Sequence, residues 1–562
     1  MKKILTVAVA ALLTVSSVSF ATNTLKPIDA EVIAVSDTFD ENNIAISFGA
    51  ISDVHIQKNS YAEKDGDYCL PYFRQALDSL ITQANVHDKD GLDAVLVAGD
   101  LTEVNVGETN QAGRNTRSAA EINAFTDVVY EYRDTSIGTN FITTPGNHDW
   151  RGIYTRDLQG YYDLFGRNYF TDSVADGRKE YRLDLERGYR HTSITKGTQE
   201  FHFIVLQPYF GHDSDDKIVY AHDPVVLDYL ETDLNAITTR NPNAYVYVVT
   251  HVAPVDTARG SEYEWRNAKN FLSEGLMKDP EDAIYSSRYN QDYTYTDING
   301  VTKTIKVNAD GRTVRRILPN YPQVMTFAGH SHCPLNEERS IWQGDFTALS
   351  TASSKYTTDY PDDKYISNTI SLKTSTERNR GGLLVQVDVN GNVRITRVNF
   401  SRNYLVDKSN LVIKDVWELE APKADKSHLN KYSRATRVAN NEAPVMSGAV
   451  TLTAGTFSNL YDTADTTVFN VKLSAPAATD DDYNIIAYYN IKVYKAGTST
   501  LVKSYTVRSD LMYADINKNE NTLRKTFEYL LKLNAGSYDV KIQAVDEWDA
   551  VSNWLTSTIT VA

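Results

Sequence analysis

The segment from Phe141 to Asp149 reads FITTPGNHD. Its first four residues are apolar or β-branched, which predicts a β-strand. The proline and glycine that follow predict a tight turn, and Asn147, His148 and Asp149 come directly after it. In open α/β sheets, functional sites lie just beyond the carboxyl ends of the strands. The segment therefore predicts a strand that presents an amide, an imidazole and a carboxylate at a candidate site.

The residues before this segment alternate between strand-like and helix-like patterns. Residues 45–51 predict a strand, residues 72–84 an amphipathic helix, and residues 94–98 a strand too apolar to be half-exposed. Residues 119–132 predict a second helix, which leads into the strand at 141–144. A strand–helix–strand–helix–strand order is typical of an α/β fold with a mainly parallel sheet.

Three more apolar strand candidates follow the segment, at residues 201–206, 245–250 and 324–328. Between the last two, residues 258–320 predict an insertion that contains a hairpin around Asn299-Gly300.

After Ser340 the pattern changes to strands alone. The candidates are residues 346–350, 382–389 and 393–400. The Asn390-Gly391 pair predicts a tight hairpin turn between the last two.

The last part of the chain predicts a separate all-β region. Residues 406–440 are rich in Lys, Asp and Asn. They predict a linker that follows an α/β region at 44–405. Residues 441–562 alternate short β-type runs with turns. This alternation predicts a C-terminal β-sandwich of the immunoglobulin or fibronectin type III kind.

Length and composition limit the functional classes. The chain has 562 residues, of which 41% are hydrophobic and 23% charged, which is ordinary for a globular protein of several domains. The net charge of −16 argues against non-specific nucleic-acid binding, so we expect no duplex partner. It does not exclude a small anionic substrate, because bound metal ions reverse the local field.

The N-terminal residues predict a compartment. Two lysines follow the first methionine, residues 4–15 are apolar, and Ser19-Phe20-Ala21 is a small-x-small cleavage site. This is the pattern of a secretory signal peptide at 1–21, with residues 22–43 as a lead-in. The apolar run is too short to favour the alternative of a membrane anchor. We therefore expect a secreted, periplasmic or cell-surface protein without a membrane span.

Five short motifs carry the metal-binding and acid–base residue types. They are Asp53-Val54-His55, Gly99-Asp100, Gly146-Asn147-His148-Asp149, His251 and Gly329-His330-Ser331-His332. Each alone has an ordinary explanation, such as a chance pair, a turn, a helix cap or a core histidine. Together they all follow predicted strands, and the first three are each about one strand-plus-helix unit apart. The joint pattern therefore indicates one site at the strand ends.

This ordered set resembles the calcineurin-like metallophosphoesterase superfamily, whose pattern is D-x-H, G-D, G-N-H-[D/E], H and G-H-x-H. Every element is present, and the resemblance covers about residues 45–400. It implies a four-layer αββα sandwich, here expected at 44–405, with two metal ions at the strand ends.

The resemblance also implies a role for each motif residue. Asp53, His55 and His332 would hold the first metal, Asn147, His251 and His330 the second, and Asp100 would bridge both. His148 would face the substrate phosphate, and Asp149 would orient its imidazole. A mixed set of nitrogen and oxygen ligands suits Mn, Fe, Zn or Co and fits Ca poorly.

The implied function is a secreted phosphoesterase that attacks a phosphomonoester or phosphodiester with a metal-bridging hydroxide. Its substrate would be a small molecule, a nucleotide or a lipid. The alternative is an inactive surface protein that binds a partner through its β-sandwich, but a decayed site should lack a ligand and none is missing. The segment after Gly99-Asp100 lacks the tyrosine of purple acid phosphatases, and His55 is a residue that they lack, which argues against that branch.

Several neighbouring residues could shape a substrate pocket, although a packing or solvated role is expected more often. They are Trp150, Arg151, Tyr209, His212, His222, Arg312, Arg315 and Arg316. The acidic residues near Gly99-Asp100 are expected to form a solvated face: Glu103, Glu108 and Glu121. In the C-terminal region, Trp548 and Trp554 are either core aromatics or a platform for carbohydrate at a cell surface.

The chain has two cysteines, Cys69 and Cys333. Cys333 directly follows His332, and Cys69 begins the helix after the Asp-x-His motif. In a secreted protein the two could form a disulfide that fixes both ligand loops. The alternative of two buried free thiols stays open.

Overall fold

The computed structural model describes most of the chain beyond the predicted leader. The described residues are 38–57, 69–88, 91–103, 111–133, 140–152, 178–212, 218–222, 224–254, 257–259, 261, 292–296, 302–306, 314–335, 337–358, 369–370, 375–376, 380–400, 404–405, 416–458, 467–480, 486–509 and 526–562. The predicted signal peptide at 1–21 and residues 22–37 of the lead-in lie outside them.

Up to residue 405 the elements are β1 (Ile44–Ile51), α1 (Cys69–Ala84), β2 (Ala94–Ala98), α2 (Gln111–Tyr132), β3 (Asn140–Thr144), α3 (Asn147–Gly152), β4 (Arg178–Asp184), β5 (Tyr189–Lys196), β6 (Gln199–Leu206), β7 (Pro208–His212), β8 (Ile218–His222), α4 (Pro224–Arg240), β9 (Tyr245–Val249), β10 (Asp292–Thr296), β11 (Thr302–Lys306), α5 (Val314–Ile317), β12 (Val324–Ala328), β13 (Ile341–Gln343), β14 (Thr347–Ser350), β15 (Thr357–Thr358), β16 (Thr369–Ile370), β17 (Ser375–Thr376), β18 (Gly381–Asp388), β19 (Val393–Asn399) and β20 (Tyr404–Leu405). Beyond residue 405 they are β21 (Val416–Leu419), α6 (Arg434–Ala439), β22 (Thr451–Phe457), β23 (Phe469–Pro476), β24 (Ile486–Lys495), β25 (Leu501–Arg508), β26 (Thr526–Leu531), β27 (Gly536–Asp546) and β28 (Leu555–Val561).

Two seven-stranded sheets form the α/β region. The first has the order β20-β19-β18-β1-β2-β3, with β21 also paired to β19, and β1, β2 and β3 are parallel. The second has the order β13-β14-β12-β9-β6-β5-β4, and its four central strands are parallel. The carboxyl ends of these parallel strands carry all five motifs.

The two sheets pack face to face through aromatic side chains. The ring of Phe48 lies 5.5 Å from that of Phe203, 4.8 Å from that of Tyr247 and 5.9 Å from that of Phe327, measured between centroids. Apolar residues of α1 and α2 cover the outer face of the first sheet, and those of α4 cover the second. The predicted α/β fold is therefore confirmed, with helices on both outer faces. No helix in the described part of the chain is long and apolar enough to cross a membrane.

The C-terminal region is built from β-strands in two sheets. One is β22-β23-β26, and the other is β16-β25-β24-β27-β28. All pairs are antiparallel except β16 with β25, in which a short strand of the α/β region extends the C-terminal sheet. Leu473, Phe527, Ile491 and Val540 belong to one buried apolar cluster that includes both sheets.

The predicted linker is wrong for residues 416–440, while residues 406–415 lie outside the described residues. β21 joins the first sheet, and Trp417 is buried. Tyr432 is also buried; its backbone carbonyl oxygen accepts from the backbone N–H of Gln343 (3.2 Å), and its backbone N–H donates to Gln343 Oε1 (2.9 Å). A few buried aromatic anchors therefore fix a segment whose overall composition is polar.

Candidate metal centre

The seven side chains that the sequence singled out as ligands follow the ends of five parallel strands. They are Asp53 and His55 after β1, Asp100 after β2, Asn147 after β3, His251 after β9, and His330 and His332 after β12. All except His330 are buried. The strand ends bring residues that are distant in sequence to one edge of the paired sheets.

The ligand atoms of the first group lie within 4.8 Å of one another in Asp53, His55, Asp100 and His332. His332 Nε2 is 3.0 Å from Asp53 Oδ1, and His55 Nε2 is 3.7 Å from Asp100 Oδ2. Two carboxylates and two imidazoles thus face one enclosed point, as in a metal-binding site.

The second group contains Asp100, His251 and His330, again with ligand atoms within 4.8 Å. His251 Nε2 lies 3.4 Å from Asp100 Oδ1, 3.1 Å from His330 Nδ1 and 3.1 Å from Asn147 Oδ1. Because Asp100 belongs to both groups, its two oxygens face two adjacent ligand sets.

The imidazole tautomers show that these groups fit cations. His332 Nδ1 lies 3.0 Å from the carbonyl oxygen of Tyr356, which can only accept, so the ring donates there. His55 Nδ1 likewise lies 3.1 Å from Glu103 Oε2. In their neutral forms both rings then carry a lone pair at Nε2, and these two atoms are 3.2 Å apart. A cation between them satisfies both lone pairs, which otherwise repel each other.

His251 repeats this arrangement in the second group. Its Nδ1 donates to the carbonyl oxygen of Ala98 at 2.8 Å, so Nε2 is the ring atom that faces Asn147 and His330. The carbonyl partner therefore orients the imidazole for a ligand, as outer-shell partners do in metal sites.

The charges in the two groups compensate one another. Burial would raise the pKa of Asp100, but the imidazoles of His251 and His148 outweigh burial and hold that pKa well below its usual range. Asp53 has a lowered pKa for the same reason, with His332 as the main opposing partner. Burial lowers the pKa of His251, but Asp100 and Asp53 raise it to about 9. The carboxylates are thus ionised and attract positive charge.

The ligands are held in a strained backbone. Five of them have positive φ values: Asp53 (52°), His55 (49°), Asp100 (50°), His330 (67°) and His332 (49°). Such conformations cost about 1–3 kcal/mol each for non-glycine residues and cluster at functional sites. The surrounding structure must therefore stabilise these loops.

The motif glycines leave room for the ligands. A Cβ on Gly146 would lie 2.2 Å from Asp100 Oδ1, and one on Gly99 would lie 2.2 Å from His251 Nδ1. Gly99 also has a φ of 87°. Any side chain at either position would displace a ligand, which explains why glycine precedes Asp100 and Asn147.

His148 lies beside the two groups but is not a member of either. Its side chain is 16% exposed, and Nε2 is 4.0 Å from Asp100 Oδ2. The backbone N–H of His148 donates to Asp100 Oδ1 at 2.8 Å, which fixes the residue against the ligand carboxylate. The imidazole is therefore placed to meet a molecule that reaches the ligand groups from solvent.

Glu103 is a site residue that the sequence reasoning missed, because a solvated face was expected for it. Its Oε2 is 3.1 Å from His55 Nδ1 and 3.0 Å from Lys355 Nζ, while Oε1 is 3.3 Å from His148 Nδ1. Burial would raise its pKa, but hydrogen bonds from both imidazoles hold it well below the usual range. The carboxylate thus lies between a ligand ring and His148, and the backbone carbonyl oxygen of Glu103 also contacts His148 Nδ1 at 3.2 Å. Its position three residues after Asp100 was the available signal.

The same expectation is wrong for Glu121, which is buried. It accepts hydrogen bonds from Arg117 at 2.7 Å and from the backbone N–H of Glu103 at 3.2 Å. Glu121 therefore supports the loop that carries Glu103. Glu108 lies outside the described residues.

Asp149 does not orient His148 as expected. Its carboxylate accepts hydrogen bonds from the backbone N–H groups of Leu101 (3.1 Å), Thr102 (2.9 Å) and Gly146 (2.7 Å), and from the Thr102 hydroxyl (2.6 Å). Asp149 therefore ties the loop after β2 to the turn after β3. The prediction was wrong because adjacency in sequence did not give the direction of the side chain.

We expect Glu103→Gln to weaken metal binding by roughly 10–100-fold, the usual cost of losing an outer-shell partner of a metal-bound histidine. Glutamine keeps the size of the side chain but removes the charge that holds His55 and His148. Titration with Mn²⁺ against a chelator measures the change. The matched control is Glu131→Gln, because Glu131 forms a surface ion pair with Arg74. Unchanged affinity in both variants would contradict the role of Glu103.

Of the two alternatives left open for the cysteines, the structure favours the free thiol for Cys333, which is buried and unpaired. Burial raises the pKa of this thiol, and the charges of Arg259 and Glu337 act on it. Cys333 thus faces a charged cluster, and the side chain of Cys69 lies outside the described part of the chain.

The other residues that could shape a substrate pocket are not placed at the metal centre by the described part of the structure. The side chains of Trp150, Arg151, Tyr209 and His212, and all of Arg312, lie outside the described residues. His222 is buried, with Nε2 3.4 Å from the hydroxyl of Thr250. Arg315 packs over the Trp342 ring at 5.3 Å, Trp548 is buried, and Trp554 is half-buried beside Lys492.

Comparison with known proteins gives one family match. The sequence profile of the calcineurin-like phosphoesterase family matches residues 46–334. A purple acid phosphatase from yellow lupin (Lupinus luteus) seeds is a similar solved structure, with 12% identity and a TM-score of 0.32, over 68% of this chain and 54% of that one. The chain thus spans about half the length of that phosphatase. A PKD domain of an M14-like peptidase from a Thermoplasmatales archaeon has 17% identity and a TM-score of 0.11, over 22% of this chain and 97% of that one. No curated protein matched.

Proposed function

Because this chain belongs to the calcineurin-like phosphoesterase family, we propose that it is a metal-dependent hydrolase of phosphoric esters with a dinuclear centre. The position of Asp100 carries the proposal. Its Oδ1 faces His251 at 3.4 Å and its Oδ2 faces His55 at 3.7 Å, so one buried carboxylate serves both ligand groups.

Asp53, His55 and His332 would hold one ion, and Asn147, His251 and His330 the other, with Asp100 shared. The mixed nitrogen and oxygen donors favour Mn, Fe, Zn or Co over Ca. When bound, a pair of such ions would make water a nucleophile at neutral pH and neutralise the charge that develops on the phosphoryl oxygens.

The residues beside the ions would position the phosphoester and move a proton. His148 would turn its Nε2 toward the phosphoryl group or the leaving oxygen, and Glu103 would hold its Nδ1. Lys355 would add positive charge near the phosphate through its contact with Glu103, 3.0 Å away. In phosphoryl transfer, positioning and charge neutralisation supply most of the rate enhancement.

The substrate class follows from this chemistry. Both phosphomonoesters and phosphodiesters are attacked at phosphorus, so we propose hydrolysis of one or both in small molecules, nucleotides or lipids. We also infer secretion from the predicted signal peptide. An inactive binding protein is the competing function, and the full set of seven ligand residues argues against it.

We further infer an immunoglobulin or fibronectin type III sandwich for the C-terminal region. Seven antiparallel strands in two sheets, β22-β23-β26 and β25-β24-β27-β28, support this inference. A carbohydrate or cell-surface contact through this region stays a proposal.

The test is a substrate panel on the purified protein loaded with Mn²⁺. It compares p-nitrophenyl phosphate with bis-p-nitrophenyl phosphate, and then nucleotides, cyclic nucleotides and lipid head groups. We expect metal-dependent hydrolysis, and a strong preference for the bis compound would identify a diesterase. Elemental analysis of the same sample counts the ions. Protein that stays metal-free after soaking in Mn, Fe, Zn and Co salts would contradict the proposal.

A further inference from the structure

We propose that the C-terminal sandwich supports the metal centre, because its contacts stabilise the loop that carries His330 and His332. This inference rests on the proposed function for the identity of the ligands. The loop is called the ligand loop below and comprises residues 329–335. The C-terminal region thus positions ligands and is neither a detachable spacer nor only a binding module.

Two adjacent carboxylates directly follow the ligand loop. Glu337 and Glu338 are 0% and 5% exposed, only five and six residues after His332. The backbone N–H of Glu337 donates to the carbonyl oxygen of Pro334 at 3.1 Å. This turn couples the positions of both carboxylates to the backbone of the loop, and two buried charges require partners.

The C-terminal region supplies part of those partners. Arg508, at the end of β25, lies with Nη2 3.5 Å from Glu337 Oε2, and Arg508 is itself buried. The backbone N–H of Glu338 donates to the carboxylate of Glu547, with distances of 3.0 and 3.3 Å to its two oxygens. Glu547 follows β27 and is buried as well. Strands of the sandwich therefore end directly against the residues that follow the ligand loop.

The acidic side chains of the two regions contact each other across this boundary. Burial and the charge of Glu337 raise the pKa of Glu547. Burial would also raise the pKa of Glu337, but Arg339, Arg259 and Arg508 lower it. The guanidinium groups of Arg259, Arg339 and Arg508, at 3.4, 2.9 and 3.5 Å, thus offset the charge that is buried at Glu337. A buried network of this kind fails when one partner is removed.

The α/β region and the segment 416–440 both contact the carboxylate of Glu338. Glu338 Oε1 is 2.8 Å from Arg397 of β19, and its Oε2 is 2.9 Å from Arg437 of α6 and 3.2 Å from Trp417 Nε1 of β21. Arg397 also donates to the carbonyl oxygen of Leu335 in the ligand loop at 3.1 Å. The loop is therefore enclosed by the first sheet, the segment 416–440 and the sandwich.

The backbone of the ligand loop explains why this enclosure matters. His330 and His332 have φ values of 67° and 49°, in the left-handed region that is uncommon for residues other than glycine. Without external support the two residues would relax toward ordinary conformations, and their nitrogens would leave the ligand groups. The packing of buried charges behind the loop opposes that relaxation.

The test uses the full chain and the variant Arg508→Met, which keeps the bulk of the side chain and removes its charge. In metal-free protein we expect faster backbone hydrogen exchange in the peptide covering residues 329–340. We also expect Mn²⁺ affinity to fall by roughly 10–100-fold at a temperature where the variant is folded. Arg508→Lys should restore part of both properties. The matched control is Lys472→Met, which breaks an ion pair with Glu528 inside the sandwich and should change neither.

Each outcome decides between the possibilities. A lower melting temperature with unchanged exchange and unchanged Mn²⁺ affinity in Arg508→Met would overturn the inference, because the contact would then stabilise the fold only. If that variant does not fold, Glu547→Met replaces it, because methionine keeps the bulk but removes the acceptor of the Glu338 backbone N–H; the same faster exchange and weaker Mn²⁺ binding are expected. Wild-type protein that binds no Mn²⁺ would refute the proposed function, whereas the exchange measurement would still test the support of the loop.

Discussion

Replacing Asp100 with asparagine is expected to remove both metal ions and to reduce kcat/KM strongly. The reduction should exceed the roughly 10–100-fold effect of losing an outer-shell partner, because Asp100 is itself a ligand. Asparagine keeps the oxygen that accepts the hydrogen bond from the backbone of His148, 2.8 Å away. It loses the negative charge that both ligand groups share, and its amide nitrogen cannot act as a ligand. The loss therefore affects both ions at once and leaves the turn intact.

Metal content by elemental analysis and turnover of bis-p-nitrophenyl phosphate measure this effect. The control is Asp93→Asn, because Asp93 precedes the same strand, β2, at the opposite end and accepts a hydrogen bond from the backbone of Ser47 at 3.0 Å. That variant should keep both ions. Two ions and near wild-type turnover in Asp100→Asn would contradict a shared carboxylate.

Asp53→Asn should give a different result from Asp100→Asn. Asp53 belongs to the first ligand group only, with Oδ1 3.0 Å from His332 Nε2. We therefore expect its loss to remove one ion and to leave the second group, around His251, occupied. Measured stoichiometries of one ion in Asp53→Asn and none in Asp100→Asn would support the division into two groups. Equal stoichiometries in the two variants would contradict it.

The sequence predicted those parts of the fold in which burial dominates. The strand predicted at 324–328 matches β12, and that at 94–98 matches β2, because uninterrupted apolar runs bounded by glycine or polar residues have one interpretation. β10 and β11 pair antiparallel on the two sides of the hairpin turn expected at Asn299-Gly300, which itself lies outside the described residues. Local signals were sufficient in these places.

The missed elements share a different property. β4 alternates charged residues such as Arg178, Glu180 and Arg182, whose stabilising partners come from other elements: Arg182 pairs with Asp233 of α4 at 2.9 Å. Strands held by long-range ion pairs carry no apolar run that a sequence pattern could detect. The segment 416–440 also lacks an apolar run. It was predicted to be a linker because the aromatic residues that anchor it are few.

At the site, too, local sequence signals predicted some residues, and long-range contacts determined the others. The ligand motifs were recognisable because glycine and the ligands are adjacent in sequence, as in Gly99-Asp100. The contacts of Glu103 with His55 and His148 depend on how three loops meet, so its role required the structure. Asp149 was misassigned because its neighbour in sequence, His148, was assumed to be its partner in space.

His148→Ala is expected to keep both metal ions and to lower kcat by roughly 10²–10⁴-fold, the usual contribution of a positioned proton donor or acceptor. The imidazole belongs to neither ligand group, and its Nε2 is 4.0 Å from Asp100 Oδ2. Its removal therefore leaves the ligands in place. Metal analysis of the variant checks the first part, and lost metal or wild-type turnover would contradict the assignment.

The leaving group then separates the two roles that His148 could have. If the imidazole protonates the leaving oxygen, its removal should slow a phosphoester with a basic alkoxide leaving group far more than one with p-nitrophenolate, which departs without a proton. If it stabilises charge on the phosphoryl oxygens, both substrates should slow equally. Because the backbone carbonyl oxygen of Glu103 at 3.2 Å and its carboxylate at 3.3 Å both face Nδ1 and thereby direct Nε2 toward the centre, either role uses the same ring atom. Glu103→Gln should therefore show the same dependence on the leaving group, at smaller amplitude.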